Sequence, residues 1–555
     1  MIRKQLVAGL VLLFSMSLAF AAEGSSHAGW ISVLPPLAAI AIALVFRQII
    51  PALFVALWIG AWALHDLSFS GIWVGLLDTI QIYVVGAIAD TDHVSIIVFS
   101  MMIGGMVGII SRNGGMQGIV NYLVRWANNA RRASISTGLM GLAIFFDDYA
   151  NTLVVGNTMR PVTDRLRVSR EKLAYIVDST AAPVACLAFI TTWIGYEIGL
   201  IDEAMKSIGA DLDPYAVFLS SVPYSFYPIM AIAFVFFNAF LRKDFGPMYQ
   251  AEVKMIQQGK TADEAVESND MVSEEIIQPI EGKPQRAINA LIPIIVLIGG
   301  VIIGIYATGY KEGSNLREIV SDANSYKALL WGSLLSVLTA VFLSVIQGIM
   351  SLKEATDAWF KGARSLLMAM LILVLAWSLS KVTDGLGTAN YLVSLLGDSL
   401  NPGVVPTLVF LLAAATAFST GSSWATMAIL MPLVIPLTWA VIGGQDASTT
   451  QMHIVYSAVS AVLAGSVWGD HCSPISDTTI LSSMASGCDH IEHVRTQLPY
   501  ALLVGLVALG VGTLPAGFGV PWWICLIAGL GILFGILRIA GQSLPDAQQP
   551  QTEQN

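Results

Sequence analysis

Apolar segments of membrane-spanning length recur through this sequence and leave few folds open to it. They fall at about 31–46, 49–64, 94–111, 171–200 and 215–240, then at 287–309, 328–350, 364–380, 451–487, 498–516 and 519–539. The runs are continuous rather than alternating. In lipid every backbone amide and carbonyl must bond internally, so the runs are helices and not barrel strands. Of the 555 residues 55% are hydrophobic and 12% charged, against about 25% charged in soluble domains. The fold class is therefore an all-α polytopic membrane protein. The formal charge of −10 sits largely in polar loops and the tail. Cys186, Cys472, Cys488 and Cys525 lack metal-site spacing, so no zinc or disulfide framework is implied. Neither a cofactor nor a nucleic-acid partner is expected.

Arg3 and Lys4 precede an apolar run from Leu6 to Phe20 and the small-residue end Ala19-Phe20-Ala21. Residues 1–22 read as a secretory signal cleaved near Ala22, or as an extra N-terminal helix. The polar region 241–286 reads as a cytoplasmic linker between two transporter repeats, 30–240 and 287–516. A final membrane helix at 517–540 and a polar cytoplasmic tail at 541–555 follow.

The two halves resemble each other. Ser111-Arg112, Gly118 and Asn121-Tyr-Leu-Val124 recur without gaps as Ser380-Lys381, Gly387 and Asn390-Tyr-Leu-Val393. Phe146 and Pro161 then answer Phe418 and Pro432, and Asp178, Pro183 and Thr191-Thr192 answer Asp470, Pro474 and Ser482-Ser483, each with one gap. Paired repeats are a common transporter architecture, with the site at their interface. Basic residues set the orientation. Arg47, Arg112, Arg125, Arg131, Arg132, Arg160, Arg165, Arg167, Arg170, Lys172, Arg242 and Lys243 should face the cytoplasm. A single crossing by 133–160 would split them between the two faces, so that stretch reads as a re-entrant hairpin. Its counterpart is 404–440, entering from the opposite side, and 71–90 reads as an interfacial helix. The expected architecture is an inverted repeat, each half with about five membrane helices, one re-entrant hairpin and one broken helix, plus a final C-terminal helix.

Ionisable groups inside such segments are costly and default to functional candidates. The first hairpin carries Phe145-Phe-Asp-Asp-Tyr-Ala-Asn-Thr152, and its partner carries Asp178-Ser-Thr-Ala-Ala-Pro183. The second hairpin reads Phe418-Ser-Thr-Gly-Ser-Ser-Trp424, and its partner Gly469-Asp-His-Cys-Ser-Pro-Ile-Ser-Asp-Thr-Thr479. Pro183 and Pro474 should break or kink their helices, freeing backbone groups that bind small ions. Sodium, a hard cation, should seek oxygen ligands. Asp147, Asp148, Asn151, Asp178, Ser179, Thr180, Asp470, Ser473, Ser476, Asp477 and Thr478 form the sodium and proton site candidates. Ser419, Thr420, Ser422 and Ser423 line the second hairpin, and His471 is either a proton relay or a structural histidine bonded to Asp470 or a carbonyl. Asp147 and Asp148 are adjacent and point apart, so one is a candidate cap rather than a ligand. Glu197 reads as too near the outer end to join the site, and Asp489, His490, Glu492, His493 and Arg495 read as a solvated cytoplasmic turn. Asp178 and Asp470 are expected in equivalent places; Asp477 has no carboxylate counterpart, since the register matching Pro474 to Pro183 puts Cys186 there.

These motifs resemble the NhaC family of sodium/proton antiporters, within the ion-transporter superfamily, and the similarity runs from about Trp30 to beyond Pro499. The resemblance implies a secondary transporter of the bacterial cytoplasmic (inner) membrane, not an enzyme, that exchanges sodium for protons. Relatives in the superfamily suggest a homodimer. Because the family also resembles carriers of organic anions and amino acids, the alternative is sodium- or proton-coupled transport of a small organic solute. In that alternative the same oxygens hold the coupling ion and the hairpin amides hold the substrate carboxylate, and Arg160 or Arg364 inside a central cavity would favour it. An intramembrane hydrolase with paired aspartates would leave the repeat unexplained.

Overall fold

The computed structural model describes residues 29–46, 48–210, 212–258, 277–314, 319, 322–388, 391, 401–444 and 451–545. The N-terminal signal or extra helix, Arg47, the middle of the linker, the repeat residues Asn390, Leu392 and Val393, and the end of the tail lie outside them. The chain is helical: α1 (Leu34–Phe46), α2 (Ile49–Leu64), α3 (Phe69–Ile88), α4 (Thr91–Arg112), α5 (Gly115–Val124), α6 (Ala130–Ala143), α7 (Asp148–Arg165), α8 (Arg170–Leu187), α9 (Ile194–Ser207), α10 (Pro214–Ser221) and α11 (Phe226–Leu241). After the two-residue strand β1 (Lys243–Asp244) come α12 (Gly246–Gln258), α13 (Ile288–Gly309), α14 (Ser325–Ile346), α15 (Leu352–Ser365), α16 (Leu367–Gly385), α17 (Val405–Thr420) and α18 (Ser423–Val441). The chain closes with α19 (Met452–Cys472), α20 (Asp477–Ser486), α21 (His490–Gly517), α22 (Trp522–Ala540) and β2 (Gln542–Ser543).

Among the described residues, 10 helices are long and apolar enough to cross a membrane, or 11 counting the pair Pro214–Tyr224 and Phe226–Leu241, bent by 49°. The protein is a multi-pass membrane protein. α3, expected as an interfacial helix, is a continuous 20-residue helix with the hydropathy of a span. Its outward face, with Trp73, Leu77, Ile80 and Val85, is exposed, as a lipid-facing surface would be.

Where helices cross closely, glycine permits it. A Cβ on Gly108 would lie 2.2 Å from the Ala358 carbonyl oxygen, and one on Gly362 2.1 Å from that of Gly104, so α4 and α15 meet backbone to backbone. Gly465 and Gly469 do the same for α19 against α17, at 2.6 Å from the Phe410 and 2.1 Å from the Ala414 carbonyl oxygens. This is the small-residue spacing that membrane helices use for close packing.

Five of the basic residues expected to share one face gather at one end. Arg131 lies over Phe240, Arg167 donates to the Ile256 carbonyl, Arg170 to that of Gly487, Lys243 to that of Arg538 and Arg112 to that of Gln278. Arg131 at the start of α6 and Arg167 just after α7 therefore share one face, and the α6–α7 pair enters and returns on the same side. The other hairpin, α17–α18, has its feet at the opposite end. Gly403 abuts Gly517, and Gly444 shares a cavity with Ser207, near where Lys206 pairs with Asp92 at 2.7 Å.

The beginning of the linker is folded. β1 pairs with β2, and α12 packs on α8 and α21 around a buried charge cluster. There Lys172 bonds Asp244 and Asn238, Tyr500 donates to Asp244 at 2.6 Å, and Glu252 accepts from the Ser169 amide at 2.7 Å. Burial, and secondarily the Asp244 charge, push the Glu252 carboxyl up to about 7, with the Lys172 ammonium opposing. Since the docked form favours the proton, the attachment of α12 is firmest below the ordinary glutamate range and weakens as pH rises towards 7. A spin label replacing the exposed Gln257 should gain mobility between about pH 4.5 and pH 7. In Glu252→Gln that pH response should disappear.

Candidate functional site

The two hairpin tips meet two helix breaks. In the first half the break lies at 188–193, between α8 and α9, not at Pro183, which stays inside the continuous α8. Proline costs one intrahelical bond, and here the helix carries that loss onward to Leu187. Unwinding is fixed instead by Thr191, whose Oγ1 accepts from the Trp193 and Ile194 amides at 3.0 and 3.2 Å. The Thr192 amide then donates to the Phe146 carbonyl on the hairpin tip at 2.9 Å. In the second half the break falls where Pro474 places it, at 473–476 between α19 and α20. Ser473 Oγ donates to the Phe418 carbonyl at 2.7 Å. Phe146 and Phe418 thus receive their hairpins' partner segments in the same way.

The tips are built alike. Asp147 caps α7, accepting from the Ala150 amide at 2.7 Å, and Ser422 caps α18, accepting from Ala425 at 3.3 Å. From these caps Pro161 and Pro436 both fall at the fourteenth helical residue, so the structural register pairs Pro161 with Pro436 rather than Pro432. Asp178 and Asp470 are not placed alike relative to the breaks. Asp178 lies nine residues before the end of α8, whereas Asp470 lies two before the end of α19.

Asp178 is fully buried and surrounded by donors. Gln497 Nε2 donates at 2.5 Å, Thr479 Oγ1 at 3.1 Å and Ser482 Oγ at 3.3 Å, and His493 Nε2 stands 3.5 Å away. Gln497 also donates to the His471 carbonyl at 3.0 Å. His471 Nδ1 bonds the Tyr227 hydroxyl at 2.9 Å, and not Asp470. Asp470 accepts from Thr478 Oγ1 at 2.9 Å through Oδ2, while its buried Oδ1 has no hydrogen-bond partner among the described residues. Ser476 caps α20, and its hydroxyl shares a 3.1 Å bond with Thr478. Asp477 begins that helix and is exposed.

Asp148, the first residue of α7, is buried; neither carboxylate oxygen makes a hydrogen bond of ordinary geometry among the described residues, and the Trp193 side chain faces it. Tyr149 stands within electrostatic range of Asp147, Asp148, Asp470 and Asp477, so the fold brings these carboxylates around one phenol. Asn151 braces the tip, donating to the Gly141, Ile144 and Thr180 carbonyls at 2.8, 3.2 and 3.0 Å, and its Oδ1 remains open. Thr180 turns its hydroxyl to the Ile176 carbonyl of its own helix, and Ser179 is buried beside it. In the second hairpin Ser419 and Thr420 likewise bond their own helix, leaving buried Ser423 with an open Oγ. The region can hold a small cation on oxygen, or a proton on a carboxylate.

The profile of the Na+/H+ antiporter family matches residues 184–517. The chain belongs to the Na+/H+ antiporter family. It is a transporter and not an enzyme. An uncharacterized protein of Haemophilus influenzae is 31% identical to this antiporter over 494 residues, 88% of this chain and 91% of its own. The arginine/ornithine antiporter ArcD of Halobacterium salinarum is 27% identical over 223 residues, 40% of each chain. The YdaH transporter of Alcanivorax borkumensis shares the fold, with a TM-score of 0.52 at 14% identity over 82% of this chain and 91% of its own.

Two groups of the antiporter's polar core escape sequence reasoning. His493 and Gln497 belong to the Asp178 cluster, although the stretch 489–495 reads as a solvated turn. That reading holds for the Arg495–Glu492 pair, which is exposed, but His493 is fully buried. Their spacing of four on one helix face was the available signal. Glu197 is the other. It follows the 188–193 break by four residues and is fully buried.

Proposed function

We propose that this antiporter exchanges sodium for protons across a bacterial cytoplasmic membrane, the two ions competing for carboxylates where the hairpin tips meet the helix breaks. The observation that carries the reading is the pair of buried carboxylates with open oxygens, Asp148 and Asp470. The Thr478 and Ser476 hydroxyls face Asp470, and the open Oδ1 of Asn151 lies on the hairpin tip that carries Asp148; hydroxyl and amide oxygens are the ligands a hard cation takes. An empty ionised carboxylate there costs several kcal/mol, so each waits with either a sodium ion or a proton. The cations an organic anion would need stand elsewhere. Arg364 is exposed, Arg160 packs against Gly487 at the basic end, and buried Lys172 is engaged by Asp244. Hairpins entering from opposite ends support an inverted repeat as the frame for alternating access.

A second reading is carriage of a small organic solute such as an amino acid. It draws on the ArcD relative and on a cavity of about 340 Å³ lined by Asp384, Thr383, Ser207 and Trp439. Purified protein in liposomes containing a pH-sensitive dye separates the two. Proton movement on adding sodium alone supports exchange. A response that also requires arginine, lactate or malate would sink it in favour of the carrier.

A further inference from the structure

Of the antiporter's buried acids, Glu197 is the one most removed from other charge. It is 0% exposed, and neither carboxylate oxygen has a hydrogen-bond partner among the described residues. The helices around α9 bring it no counter-ion. α18 carries no ionisable side chain. α10 offers only Tyr215, whose hydroxyl donates to the Phe189 carbonyl. On α4, His93 pairs with Glu203 at 3.2 Å, and Asp92 with Lys206. On α16, Lys381 and Asp384 sit at the far end, where Asp384 shares a cavity with Ser207. From α8 the Cys186 thiol comes within electrostatic range, and Asp178 is held by its own donors.

We propose that Glu197 is a proton relay of the exchange cycle, a residue that takes a proton, excludes sodium and passes protons to and from the shared carboxylates. This rests on the exchange reading above. A bare carboxylate in these surroundings is too costly to persist, so the group holds a cation or a proton. Sodium needs a shell of oxygens, and no hydroxyl or amide group bonds this carboxylate among the described residues. A proton needs none. The approach of neighbouring helices seals the acid laterally: a Cβ on Gly195 would lie 2.5 Å from Ser100 Oγ, and one on Gly199 2.9 Å from the Trp377 ring. The polar way in is the unwound segment 188–193, where the buried Thr192 and Trp193 side chains face Asp147 and Asp148 across the break. When the proton leaves, the amino end of α9 offers partial positive charge to the anion. Glu197 and the shared carboxylates then adjoin the same break, since the Thr192 amide is anchored on the tip that bears Asp148.

The test uses full-length protein in liposomes and reads sodium-driven proton flux together with ²²Na⁺/Na⁺ counterflow, which needs no proton step. Glu197→Gln keeps the shape and removes the titration. Its proton flux should fall by roughly a hundredfold, the scale of a lost acid–base group, while counterflow persists. Glu197→Asp should recover part of the flux with a displaced pH profile. Wild-type proton flux and pH profile in Glu197→Gln would overturn the assignment alone. So would loss of counterflow in both variants, which marks a packing role. Wild-type protein that moves sodium without protons would overturn the exchange reading, and this assignment with it.

Discussion

Asp178→Asn should abolish sodium-driven proton flux while leaving the protein in the membrane. The carboxylate accepts from Gln497, Thr479 and Ser482 on two other helices, so it fixes α20 and α21 against α8. An amide supplies one acceptor and one donor where two acceptors are needed, and it removes the charge. Loss of a ligand-orienting group alone costs roughly 10- to 100-fold in metal sites, and here a buried charge is lost as well. Flux should therefore drop to the liposome background. Gln497→Glu, which sets a second carboxylate against Asp178, should be equally inactive. Unchanged sodium dependence in Asp178→Asn would remove the residue from the site.

The adjacent pair Asp147 and Asp148 should separate sharply. Asp147 spends one oxygen on the α7 cap, and asparagine caps a helix about as well as aspartate. Asp147→Asn should keep exchange within about threefold of wild type, as expected of a conserved cap. Asp148 has both oxygens open at the tip, and Asp148→Asn should lose roughly a hundredfold or more in sodium-driven flux. Flux assays across sodium concentrations decide between them. Equal losses in the two variants would mean that both carboxylates hold the ion.

Much of this arrangement is legible in the sequence because it rests on local rules. Apolar runs mark the helices, basic clusters flanking 133–160 demand a returning hairpin, and Pro474 places its break. Pro183 misleads because a helix tolerates one missing bond when its neighbours pack; the real break is held by Thr191 and by the contact of Thr192 with Phe146. The partners of Asp178 are harder to read. Gln497 is 319 residues away, and nothing short of the folded chain brings α8 and α21 together. Glu197 poses a related difficulty: read as one continuous segment from 171 to 200, the sequence hides the unwinding at 188–193 that starts a new helix just before this residue. The apparent equivalence of Asp178 and Asp470 came from aligning prolines, and only one of those prolines lies at a break.

Competition between sodium and protons for shared carboxylates is tested most directly by proton release on sodium binding. Purified protein in weakly buffered detergent, with a pH indicator, would receive sodium chloride or, as a control, choline chloride. Protons should be released on adding sodium and none with choline. Release should shrink at alkaline pH, where the carboxylates are already empty, and should be lost in Asp148→Asn. Saturable sodium binding with no proton release at any pH would contradict it.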